Sequence, residues 1–197
     1  MRPFRHQQGD IMGPGSFLYK LAVYLHVTSA ILGFGSVFFM GLYGKAASEK
    51  KGKEGHAISE AANKVGEGVA TPFIYAVLVT GILMVLFSKG SLKWSALWIW
   101  LAIALFVIAL GISHGLHRPN LKAMLALSGE LAEMGPPPGA GGGAGDGNDA
   151  GPPAGGPPPQ AIELEARGKK AAIYGSILNL LVLVTLVLMV WKPGAGS

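Results

Sequence analysis

LYKLAVYLHVTSAILGFGSVFF, residues 18–39, is almost wholly apolar yet carries His26 near its middle. A run of this length is enough to cross the hydrocarbon core of a bilayer as a helix. Extended to its apolar limits it covers Phe17 to Tyr43. Three further runs qualify: Val69 to Ser88, Trp94 to Leu116 and Ala171 to Trp191. In lipid each backbone amide must be paired within its own segment, so all of these are predicted to be helices. The fold class read from them is all-α, a four-helix transmembrane bundle.

Composition agrees. Of 197 residues 50% are hydrophobic and 14% charged, against about 25% charged in soluble domains. The formal charge of +5 reads as loop lysines near anionic headgroups, with no nucleic-acid partner implied. There is no cysteine, which excludes disulfides, thiolate metal sites and thioether haem attachment.

The organisation reads as a polar N-tail (1–16), three spans with a surface helix (17–134), a Gly/Pro-rich linker (135–160), a helix containing span four (161–192) and a C-tail (193–197). The apolar run after the N-tail is too long for a signal peptide and is read as an uncleaved span, with Met12 as an alternative start. Trp94, Trp98, Trp191, Tyr19 and Tyr43 are expected at the membrane interfaces. Pro72 is expected in the first turn of span two. Spans two and three are joined by KGSLK and form a hairpin. The first loop is expected to contain a short surface helix, and NLKAMLALSGELAEM a helix lying on the membrane. GPPPGAGGGAGDGNDAGPPAGGPPPQ has nothing to anchor a core and is expected to be a flexible linker. No internal repeat stands out. Ten of the 16 Lys and Arg lie in the first and third loops, which favours those loops in the cytoplasm and both termini outside.

His26 lies in a stripe with Ala22, Ser29, Gly33 and Ser36 at three- and four-residue spacing, so it is expected to face protein. Ser29-xxx-Gly33 is a close-packing step. With spans centred on the bilayer, His26 lies about 6 Å from the midplane, near the depth of Thr80, Met84 and Thr185. Three roles stay open: a helix–helix hydrogen bond to Thr80 or Thr185, ligation of haem or metal with Met84 as an opposing ligand, and a proton or quinone role. A second cluster, LGISHGLHRPN, places His114 and His117 three apart at the end of span three, beside Gly111-xxx-Gly115. It reads either as a helix terminus or as a surface site for metal, haem or quinone, joined by His56. His26 and His114 are about 20 Å apart along the normal, so one haem cannot bridge them. Asn179 with Gly175 is expected to hydrogen-bond across a tight helix contact. No Asp or Glu lies in any span, which argues against a carboxylate-driven transporter, and no catalytic constellation is seen.

Leu25-His26, Ala30, Gly33, Gly35 and Phe38-Phe39 resemble the opening helix of a group of small bacterial membrane proteins. The group includes an uncharacterised "predicted integral membrane protein" family, copper-resistance D-type domains and the small membrane protoporphyrinogen oxidase. The likeness to the oxidase implies that His26 matches its haem-associated histidine. MGLYGK departs from that family's arginine-containing continuation, so its activity is not carried over.

The function expected is that of a non-catalytic small subunit or assembly factor of a larger membrane complex, respiratory or electron-transferring, in a bacterial inner membrane. Its partners are lipid and other membrane subunits or a second copy. The alternatives are a b-type haem protein with His26 as ligand, in electron transfer or porphyrin oxidation, and a copper-handling protein. His26, Met84, His114 and His117 are the candidate cofactor residues, His26, His114 and His117 the candidate metal ligands, and Ser29, Gly33, Gly111, Gly115, Gly175 and Asn179 the candidate packing residues.

Overall fold

A computed structural model describes residues 11–50, 52–134 and 157–193. Among them every regular element is helical. They are α1 (Phe17–Glu49), α2 (Lys53–Val65), α3 (Thr71–Phe87), α4 (Leu97–Ile112), α5 (Arg118–Met134) and α6 (Pro159–Trp191). Two π-helical turns, Gly66–Ala70 and Ser113–His117, join α2 to α3 and α4 to α5. Helix therefore runs unbroken over Lys53–Phe87 and Leu97–Met134, and with α1 and α6 the protein has four helices long and apolar enough to cross a membrane. Most of the expected linker, and most of both tails, lie outside the described residues.

Pro72 stands in the first turn of α3, as expected, and Pro119 in the first turn of α5, yet helix runs on through both. In an α-helix a proline ring clashes with the carbonyl four residues back and offers no N–H. Here the helix widens just before each proline. Thr71 N–H donates to the Gly66 carbonyl, and Arg118 N–H to the Ser113 carbonyl, each five residues back. Thr71 Oγ1 donates to the same Gly66 oxygen at 2.7 Å. Local π adjustment of this kind lets a membrane helix carry proline without ending. The two stretches, GEGVATP and SHGLHRP, share glycine at the third place and proline at the seventh, a small internal likeness that composition alone does not reveal. The segment expected as a surface helix is α5, which follows α4 directly through its π turn.

The chain divides into two compact units. The first holds the described residues up to Phe38, Val65–Ile108 and those from Leu181 onward. Its tight turn after α3 is closed by Ser88, which is fully buried. Ser88 Oγ donates to the Val85 carbonyl at 2.7 Å and accepts from Leu92 N–H at 3.1 Å. Gly13 N–H caps the free Phe87 carbonyl at 2.8 Å. Trp98, expected at the membrane surface, instead packs in a cluster with Val85 and Ile99. Its ring carries Lys192 Nζ at 5.9 Å, within cation–π range. Trp94, Trp100 and Trp191 are exposed, and the Trp100 indole N–H donates to the Trp94 carbonyl at 2.7 Å.

The second unit holds the described residues of Phe39–Lys64 and Ala109–Leu180. Asn120, directly after Pro119, is buried and donates to the Arg167 carbonyl at 2.9 Å, tying α5 to α6. Gly55 is buried against the end of α1. A Cβ at Gly55 would meet the carbonyl oxygens of Lys50 and Ala47.

Candidate functional site

The small-residue stripe of α1 faces protein as its spacing requires. Ala22, Ser29 and Gly33 are its buried residues. Gly33 brings α1 onto the backbone of α3, where a Cβ would lie 3.2 Å from Ile74 N and 3.3 Å from the Phe73 carbonyl carbon. Two turns earlier on the same stripe His26 reaches α3. Its Nδ1 lies 3.0 Å from the Val77 carbonyl and 3.2 Å from Thr80 Oγ1. Thr80 Oγ1 spends its own proton on the Ala76 carbonyl at 2.5 Å. Both partners of Nδ1 therefore accept, which places the ring proton on Nδ1 and leaves a lone pair on Nε2. Gly81 makes room for the ring, since a Cβ there would lie 3.2 Å from His26 Cε1.

The second unit repeats this clasp. His56 Nδ1 donates to Ser128 Oγ at 2.8 Å, and Ser128 Oγ donates to the Leu125 carbonyl at 2.8 Å. Gly129 makes the same room, with a Cβ position 3.2 Å from His56 Cε1. In both cases one helix offers a hydroxyl residue followed by glycine, and the neighbouring helix inserts a histidine. Thr80-Gly81 and Ser128-Gly129 are the only Thr-Gly and Ser-Gly pairs in the chain. That was the sequence signal for Gly81, Ser128 and Gly129, which pattern reading passed over. Asn120 was also missed, hidden by the expected helix end at Pro119.

His114 and His117, expected on one face, point to different surroundings. The π turn holds more residues per turn, so three residues no longer bring a side chain back to the same face. His114 is exposed. Its Nδ1 donates to the Leu110 carbonyl at 3.0 Å, and its Nε2 accepts from Arg118 Nη1 at 3.1 Å. His117 lies edge-on to Tyr174, ring centroids 6.5 Å apart, and its buried Nδ1 has no hydrogen-bond partner. His26 belongs to the first unit and His114 and His117 to the second. No group of three or more His, Asp or Glu side chains forms a metal site among the described residues. Met84 is half-buried, one turn beyond Thr80 on the helix that receives His26.

The remaining packing candidates lie open. A Cβ at Gly111, Gly115 or Gly175 would meet nothing within 4 Å. Asn179 is exposed. Its helix is the least enclosed of the four: 6% of its most apolar window is buried, against 17–22% for the others.

These features sit on a chain whose residues 20–125 match the pattern of the family described as "Predicted integral membrane protein (DUF2269)". The match covers more than half of the 197 residues. The chain belongs to this family. It is an integral, multi-pass membrane protein with four candidate spans. The matched region includes His26, His56, both π turns and the Thr80-Gly81 pair, and it stops before α6. No curated protein and no solved structure matches the chain.

Proposed function

We propose that this protein is a non-catalytic membrane subunit or assembly factor whose four spans pack against other membrane helices. The Lys and Arg count supports a placement with both termini outside; the membrane proposed is a bacterial inner one. One observation carries the reading. His26 of α1 and Thr80 of α3 find hydrogen-bond partners within the first unit, whereas Asn179 of α6 lies about 3 Å from the centre of its span and is exposed. An amide facing hydrocarbon without a partner costs several kcal/mol. Such a residue is satisfied by a helix from another chain. The test is affinity purification from native membranes in mild detergent. A second membrane protein recovered in fixed ratio is the expected result; recovery of this chain alone overturns the subunit reading.

A second reading rests on Nε2 of His26. A histidine whose Nδ1–H is held by a backbone carbonyl has the tautomer and orientation that metal-ligating histidines use. The donor set fits a b-type haem, with His26 Nε2 and the Met84 thioether as the residues to hold it. When bound, haem supplies one-electron chemistry. The Val77 carbonyl and Thr80 hydroxyl hold the imidazole in its Nδ1–H tautomer and fix its orientation, and Gly81 gives the ring its place. A reduced-minus-oxidised visible spectrum of purified protein is expected to show a sharp α band that His26→Ala abolishes. A flat wild-type spectrum, from cells supplied with haem, removes this reading.

A further inference from the structure

We infer that two copies of this chain associate through a parallel α6–α6 seam in which the Asn179 side chains hydrogen-bond to each other. The inference rests on the subunit reading in one respect, that the outward face of α6 is an association surface, and it names the occupant.

The face is set by spacing. Ala172, Ser176, Asn179, Leu183, Leu186 and Val190 follow one another at four, three, four, three and four residues. This is the 3.5-residue repeat by which two helices wind about each other at a shallow left-handed crossing, the commonest geometry between membrane helices. All six are exposed. The opposite side of α6 is turned inward: Thr185 is its buried residue, and Tyr174 meets the His117 ring. The seam is thus the side that the described residues leave open, and its residues are small toward the first half and aliphatic toward the second.

Apolar exposure alone needs only lipid. Asn179 needs more. Its amide has two N–H donors and a carbonyl acceptor, and hydrocarbon offers neither complement. A second copy inserted in the same membrane with the same topology places its α6 parallel to the first. A twofold axis along the membrane normal then brings each seam residue to its own counterpart. Asn179 meets Asn179, donor to acceptor and acceptor to donor, so one residue satisfies itself. Few side chains have this self-complementarity, and asparagine at a seam position is the established device for fixing parallel register. Ala172 and Ser176 on the same side, with Gly175 flanking, let the backbones approach closely enough for such short side chains to touch.

The natural absence of cysteine makes the test direct. Full-length Ser176→Cys and Ile177→Cys are reconstituted separately in liposomes and oxidised. Ser176 is on the seam and Ile177, also exposed, is about 100° away. Ser176→Cys is expected to yield a disulfide-linked dimer and Ile177→Cys little. In parallel, Asn179→Leu is compared with wild type by energy transfer between labelled copies in liposomes. Its association constant should fall roughly three- to thirtyfold, the span of one intramembrane hydrogen bond, with an unchanged thermal unfolding midpoint. Equal cross-linking at both sites, or unaltered association of Asn179→Leu, overturns the inference. So does a monomer in liposomes whose Ser176→Cys form couples in native membranes to a protein of another size; the subunit reading then stands. A liposome dimer with no co-purifying partner supports the seam and removes the subunit reading.

Discussion

Gly55→Ala should destabilise the protein by about 3 kcal/mol, at the upper end of what overpacking costs, and should loosen the junction of α1 and α2. The added methyl would press on two backbone oxygens, Lys50 O and Ala47 O, the latter at 2.8 Å. A backbone carbonyl cannot rotate aside as a side chain can. The first turn of α2 would have to lift from the end of α1, and His56 is the next residue. The contact of its Nδ1 with Ser128 Oγ, now 2.8 Å, would lengthen with it. Gly44→Ala is the matched control, because a Cβ there meets nothing. In a helix interior that change should stabilise by about 0.5–1 kcal/mol. Thermal unfolding in mild detergent, with limited proteolysis at the junction, reads both. Equal midpoints for the two variants would show that α1 and α2 do not approach as described.

Gly33→Leu should cost about 2–3 kcal/mol by the same overpacking. Here the side chain would enter between α1 and α3, where Ile74 N and the Phe73 carbonyl carbon stand 3.2 and 3.3 Å from its Cβ. Separation of the helices at Gly33 would also draw His26 from Val77 and Thr80, two turns along the same stripe. That adds the loss of an intramembrane hydrogen bond, roughly 0.6–2 kcal/mol. Gly35→Leu, two residues on and open around its Cβ position, should leave the unfolding midpoint nearly unchanged. A large fall with Gly35→Leu and none with Gly33→Leu would mean that the buried face of α1 is misassigned.

The stripe of α1 was legible from spacing because small residues and a histidine at helical intervals can face only protein. Its partner was half legible: Thr80 was named from depth alone, while Gly81 was not. A glycine's role depends on what lies over it, and only the placement of the His26 ring reveals that. Gly111, Gly115 and Gly175 show the converse. Their spacing reads as close packing, yet no neighbour among the described residues comes near, since small residues permit contact without causing it. The shared face expected of His114 and His117 failed because three-residue spacing presumes an α turn.

By itself the sequence determined the four apolar runs and hence an all-helical membrane protein, because backbone amides in hydrocarbon admit no other single-chain solution for runs of this length. The tertiary structure decided where helices stop. Pro72 and Pro119 read locally as boundaries, but a π turn of five residues absorbs the clash, and flanking contacts such as Asn120 to the Arg167 carbonyl at 2.9 Å hold the continued helix in place. It also decided which polar groups are satisfied within the chain. Hydrogen bonding is a relation between elements far apart in sequence, and no local pattern distinguishes His26, clasped by α3, from Asn179, turned outward.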